Sequence, residues 1–181
     1  MVTYLIALIV ALLVIIRFEK SPTPIRPLVQ LLALAVLGRW VFMTIPNVQP
    51  TTAILMLTAL YIGWTSAAIL ALFVPLLSGL LLGIGPFVLY QFLGWLLVVS
   101  LTYLLRPMLL RSSIPLLAVG LVGGFLYGWT VNVSFMEVIG VDFIKLLLLS
   151  APFDLAHGLS NVVFLFLIRP LFRSILGKQL G

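Results

Sequence analysis

Apolar residues along this chain come in long runs with no polar face, and most runs stop at a proline, a glycine or a basic residue. A helix that is apolar all round belongs in a protein core or a membrane. The runs predict seven helical spans: Val2 to Ile16, Leu28 to Thr44, Thr51 to Gly63, Thr65 to Leu82, Phe87 to Leu105, residues 114–131, and Phe143 to about Ile168. Six remain if the first lies flat on the membrane. Residues 1–20 are read as an extra N-terminal hydrophobic helix, 21–27 as a connector and 28–181 as a six-helix membrane core. The connector, Ser21-Pro22-Thr23-Pro24-Ile25-Arg26-Pro27, holds too much proline to be helical throughout. Residues 1–16 lack a basic leader and a small-x-small cleavage site, which predicts a transmembrane helix and not a removed signal. In the span at 114–131, Gly120, Gly123, Gly124 and Gly128 are expected to let a neighbouring helix approach closely.

Composition agrees with the pattern. Hydrophobic residues make up 64% of the chain and charged residues 8%, against about 25% charged in soluble domains. Mean hydropathy is +1.34. The fold class expected is all-α and polytopic, with about 20 apolar residues needed for each crossing of a ~30 Å core.

Charge then orients the chain. Eight of the 10 Lys and Arg residues crowd three stretches: Arg17, Lys20 and Arg26; Arg106 and Arg111; Arg169, Arg173 and Lys178. The positive-inside rule puts these in the cytoplasm, with the C-terminus, and puts the N-terminus outside if the first helix spans the cell membrane. Three connections are left for the outer face: Ile45–Pro50, Gly83–Pro86 and Asn132–Asp142, the last carrying Glu137 and Asp142. The net charge of +6 reflects this topology and the anionic headgroups of the bilayer, not nucleic acid. Cys is absent, which excludes disulfides and thiolate metal sites.

Polar residues inside apolar helices are the candidates for chemistry. Asp154, His157 and Asn161 stand at i, i+3 and i+7 and share one helix face. An Asp154–His157 hydrogen bond is expected there, either facing a ligand or proton or locking the helix to its neighbours. Arg39 is expected to snorkel to the outer headgroups, with an inward arm toward Asp154 or an anionic ligand as the other option. Trp40, Trp95 and Trp129 fall toward helix ends, where an aromatic belt accounts for them without a ligand. Asn47 and Gln49 beside Pro46 and Pro50, Tyr90 and Gln91 after Gly85-Pro86, and Asn132 and Ser134 in the third loop suggest an outward-facing pocket. Turn chemistry explains Asn47 well and Gln49 poorly. Ala7 and Ala11 form a small-x-x-x-small pair suited to helix contact. His157 is the sole histidine, and no catalytic triad, carboxylate pair or phosphate loop is present, so neither an enzyme nor a resident metal or cofactor is expected.

Three segments together resemble the S components of energy-coupling factor vitamin transporters. They are Gly38-Arg39 with Ile45-Pro46-Asn47-Val48-Gln49-Pro50-Thr51-Thr52-Ala53; Leu82-Gly83-Ile84-Gly85-Pro86 with Gln91 and Trp95; and Pro152-Phe153-Asp154-Leu155-Ala156-His157. They follow the family's order and cover about residues 28–172. The resemblance implies a six-helix membrane subunit that captures a vitamin or related micronutrient under its outer loops. Its partners would be a transmembrane coupling protein and two cytoplasmic ATPases. Ligand contacts are then expected from Arg39, Trp40, Asn47, Gln49, Tyr90, Gln91, Trp95, Trp129, Asn132, Asp154, His157 and Asn161. The Asn47-Val48-Gln49 loop is similar to that of a cobalamin subgroup; pantothenate and pyridoxine-type vitamins stay open. The family's docking motif would align with Val29 and Ala33, where Val29 is not small, whereas Ala7 and Ala11 fit the motif in the appended helix. Two other readings remain: a stand-alone proton-coupled carrier using Asp154 and His157, and an assembly factor that binds no solute.

Overall fold

The computed structural model describes residues 2–22 and 25–176, and Lys178 lies outside them. Eight helices follow one another: α1 Val2–Glu19, α2 Ile25–Val41, α3 Thr51–Tyr61, α4 Trp64–Leu82, α5 Phe87–Leu104, α6 Arg106–Arg111, α7 Ser113–Ile139 and α8 Phe143–Leu176. No strand occurs among the described residues. Four helices are long and apolar enough to cross a membrane: α4, α5, α7 over Ser113–Glu137, and α8 over Phe143–Ser174. Such helices suit a membrane-embedded protein.

Several boundaries differ from the expectation, each for a local reason. α2 begins at Ile25, because Pro27 falls in the first turn, where a missing N–H breaks no helical bond. Part of the connector is therefore helical, while Thr23 and Pro24 lie outside the described residues. α5 ends at Leu104, within one residue of the expected Leu105, but Arg106-Pro107 then opens the short α6, again with proline in the first turn. α7 continues through Asn132 to Glu137, where a polar loop was expected. Nothing in that stretch breaks a helix until Gly140, whose φ of 71° closes it with an N–H bond to the Met136 carbonyl at 3.0 Å. The third connection thus shrinks to residues 140–142.

α3 is only 11 residues long, about 16 Å at 1.5 Å per residue, roughly half a bilayer core. Each of its residues is buried. It is the centre of the molecule, packed on α2, α4, α5, α7 and α8. Gly63, at φ 137°, turns the chain from α3 straight into α4. α1 lies against α4 and α5 through Ala7, Ala11 and Val14.

The basic stretches gather at one end. Arg17 Nε donates to Thr65 Oγ1 at 3.2 Å, beside the α3–α4 turn. Arg106 Nε donates to the Leu60 carbonyl at 2.7 Å. Arg169 donates to Ser113 Oγ at 2.7 Å and to the Leu109 carbonyl at 2.9 Å. Arg106 and Arg169 thereby satisfy helix-end carbonyls, as basic residues near a C-terminus do.

α7 and α8 make the most intimate contact in the fold. Gly120, Gly124 and Gly128 form a stripe at four-residue spacing that meets Leu165, Gly158 and Asp154 in turn. A Cβ at Gly124 would collide with the backbone nitrogen of Gly158, and one at Gly158 would collide with the Leu121 carbonyl. The expected role of the glycine-rich segment is what the fold displays. Gly124→Ala should therefore lower the unfolding free energy by about 3 kcal/mol, at the upper end of overpacking costs. Gly123→Ala, which meets only the movable Val98 side chain at 3.2 Å, should cost under ~1 kcal/mol. Thermal unfolding in detergent followed by tryptophan fluorescence checks this; equal loss in both variants would refute the close backbone contact.

Candidate functional site

Most of the candidate polar residues converge at the end of the bundle opposite the basic stretches. The turn after α2 sets the geometry. Gly38 lets that turn fold back, since a Cβ there would collide with the Pro50 ring. Asn47 takes a left-handed φ of 59°, a conformation asparagine tolerates better than most side chains. Turn chemistry therefore does account for Asn47. Gln49 is held by α8: its N–H donates to Ser160 Oγ at 3.0 Å, and its carbonyl accepts from the same hydroxyl at 3.3 Å.

Arg39 turns inward, not out to the headgroups as expected. It is 9% exposed. Its Nε donates to Gln49 Oε1 at 3.1 Å, and Nη1 donates to Ser78 Oγ and, at 3.4 Å, to Gln91 Oε1. Its guanidinium carbon lies 5.0 Å from the centre of the Trp95 ring, within cation–π range. Three fixed acceptors and an aromatic face replace the water that snorkelling would supply. All of these partners are neutral, and Asp154 is not among them.

From Arg39 the contacts run inward. Trp95 Nε1 donates to Thr52 Oγ1 at 3.0 Å, and Thr52 Oγ1 lies 2.9 Å from His157 Nε2. The threonine hydroxyl has one proton, and it already accepts the indole N–H. It can still donate to an unprotonated Nε2 or accept from a protonated one, so it serves the imidazole in either tautomer. Tyr127 closes the group, its ring centre 4.9 Å from those of both Trp95 and His157. Side chains from α2, α3, α4, α5, α7 and α8 thus meet in one cluster.

The expected Asp154–His157 bond is not formed. Both residues lie on one face of α8, but His157 points to α3 while Asp154 accepts from Ser150 Oγ at 2.7 Å. Ser150 Oγ in turn accepts from Asn132 Nδ2 at 2.8 Å. Gly128 makes the room, because a Cβ there would overlap the Asp154 carboxylate. Asn161 donates to the Gly120 carbonyl at 3.0 Å, and its Oδ1 is buried without a partner.

The remaining candidates divide. Trp40 Nε1 donates to the Ser78 carbonyl at 3.1 Å, and Tyr90 is buried nearby on α5, one residue before Gln91. Trp129 stands apart, 44% exposed and edge-on to Phe125. Ala7 and Ala11 are buried in the chain's own packing, whereas Val29 and Ala33 lie on an exposed face of α2. Among the described residues, no three His, Cys, Asp or Glu side chains gather as a metal site would require.

Sequence reasoning passed over Ser78, Tyr127 and Ser150. Ser150 stands one helical turn before Asp154, a spacing that could have suggested the bond. Ser78 and Tyr127 carry no comparable signal, because their partners lie on other helices. Compared with protein-family models, curated proteins and solved structures, the chain matches none.

Thr52→Val should leave the Trp95 N–H and the His157 Nε2 unpartnered in a dry interior, at about 1–3 kcal/mol for each group. Thr52→Ser should keep both bonds and most of the stability. Thermal unfolding separates the two, and equal midpoints would show that the hydroxyl link contributes nothing.

Proposed function

We propose that this chain is the substrate-capture subunit of an energy-coupling factor transporter, taking a vitamin or related micronutrient from the outer face of the cell membrane. In this reading it has no catalytic activity, and a transmembrane coupling protein and two cytoplasmic ATPases drive import. α2, α3, α4, α5, α7 and α8 would form its six-helix core, with α1 as the extra helix. Cobalamin stands ahead of pantothenate and pyridoxine-type vitamins, on the resemblance of the Asn47-Val48-Gln49 loop.

The observation that carries the reading is the Arg39 cluster. A guanidinium 9% exposed, with Gln49, Ser78 and Gln91 as its partners, is a buried cation balanced by neutral groups. Buried charges are ordinarily paired, and a solute bearing a carboxylate or phosphate would complete this one. The cluster lies under the turn at residues 45–50 and opposite the basic end, where an outer ligand would enter. In this structure its side chains close on one another, so capture would require the turn carrying Gln49 to release Ser160 and Arg39. The coupling protein would meet the exposed Val29–Ala33 face of α2, since Ala7 and Ala11 are occupied internally.

The test is mass spectrometry of small molecules that co-purify with the detergent-solubilised chain from cells fed a vitamin mixture. One vitamin in stoichiometric amount is expected; a folded but empty protein would overturn capture. Gln49→Ala should then weaken binding about tenfold, near 1.4 kcal/mol, and lower the unfolding free energy by about 1.5–3 kcal/mol, because it removes one acceptor from a buried cation. Unchanged affinity would move the ligand away from this cluster.

A further inference from the structure

At the basic end of the bundle, three cavities open around one side chain. The first, about 510 Å³, is lined by Leu13, Ile16, Arg17, Lys20, Ser21 and Thr65, among others. The second, about 190 Å³, runs along the α3–α4 turn from Arg17 to Tyr103, and the third, about 370 Å³, lies between Arg17, Trp64 and Leu104. Arg17 borders all three. Its Nε is held by Thr65 Oγ1 at 3.2 Å, and its guanidinium carbon lies 5.5 Å from the Trp64 ring centre. The cation is thus fixed at the meeting point and not left to swing in solvent.

We propose that this junction binds the headgroup of an anionic phospholipid, with the phosphate between Arg17, Lys20 and Thr65. Four features point to that ligand. Two cations line the largest cavity, and Glu19, the acid nearest in sequence, lines none of the three. The start of α4 adds to the positive field, for its N-cap is Gly63 and no side chain caps it; a helix N-terminus favours anions. Trp64 and Tyr103 flank the site as interfacial aromatics do. Finally, the rim continues into Leu13, Ile16 and Leu104, all exposed, so the polar pocket opens onto an apolar surface that acyl chains can follow. A soluble anion would use the first two features and leave the last two without a purpose. Basic pockets between membrane helices on the cytoplasmic side hold anionic headgroups in this manner. The site does not depend on what solute the other end captures.

The experiment is native mass spectrometry of the full chain in detergent with equal amounts of phosphatidylglycerol and phosphatidylcholine. The wild type should retain one phosphatidylglycerol preferentially. Arg17→Gln and Lys20→Gln should each weaken retention about fivefold, the effect of ~1 kcal/mol for one basic residue near anionic lipid. Arg111→Gln, at the same end but outside the cavities, should leave retention unchanged. Lys20 is exposed, so its variant tests the site even if loss of Arg17 disturbs α1. Equal retention of the two lipids, or an equal loss with Arg111→Gln, would overturn a defined site. Complete displacement of phosphatidylglycerol by excess inorganic phosphate would overturn the lipid assignment.

Discussion

The approach of α7 to α8 is the constraint on which the rest of this structure depends. Lipid offers little hydrophobic drive for one apolar helix to leave it for another, so helices in a membrane associate through close packing and polar contacts. Gly124 and Gly158 supply that closeness, backbone against backbone, with Gly120 and Gly128 extending the seam. The seam also decides where α8 places its polar residues. Asp154 fits only because Gly128 has no side chain, and Asn161 reaches the Gly120 carbonyl because the helices are near enough for one hydrogen bond to bridge them. Moving α8 outward by a methyl group would break these contacts together.

The second organising feature is α3, shorter than a bilayer core and buried along its length. It forms the interior of the bundle, running from the turn at residues 45–50 toward the basic end. Thr51 ties it to α2 through the Ala35 carbonyl at 3.0 Å, and Thr52 ties it to α5 and α8. Hydroxyls suit this place, because a threonine can donate and accept at once and leaves no charge in a low-dielectric interior. The Arg39 cluster rests on the same arrangement, since Trp95, the face on which the guanidinium lies, is fixed by Thr52.

Two ends of opposite character follow. At one, Arg17, Arg106 and Arg169 bond helix-end carbonyls and hydroxyls, and cavities open toward an apolar rim. At the other, a single buried arginine is enclosed by amides, a hydroxyl and an indole. The first environment suits an anionic membrane surface. The second suits a solute that would have to open it.

What the sequence determined by itself was the helical architecture, the glycine seam as a site of close contact and the segregation of the basic stretches. These depend on local composition: apolar runs, small residues at four-residue spacing, and cations between runs. Helix ends were less legible where no breaker marked them, as at residues 132–137, where helix continues because nothing stops it short of Gly140. Tertiary structure alone decided the direction of side chains. Arg39 could have reached headgroups, and its inward turn follows from acceptors on α4 and α5 that lie 39 and 52 residues away in sequence. Asp154 and His157 share a helix face by spacing, yet they part because α7 offers one a pocket beside Gly128 and α3 offers the other a hydroxyl. Spacing fixes which residues can point the same way along one helix, whereas which neighbour each of them meets is set by packing between helices far apart in the chain.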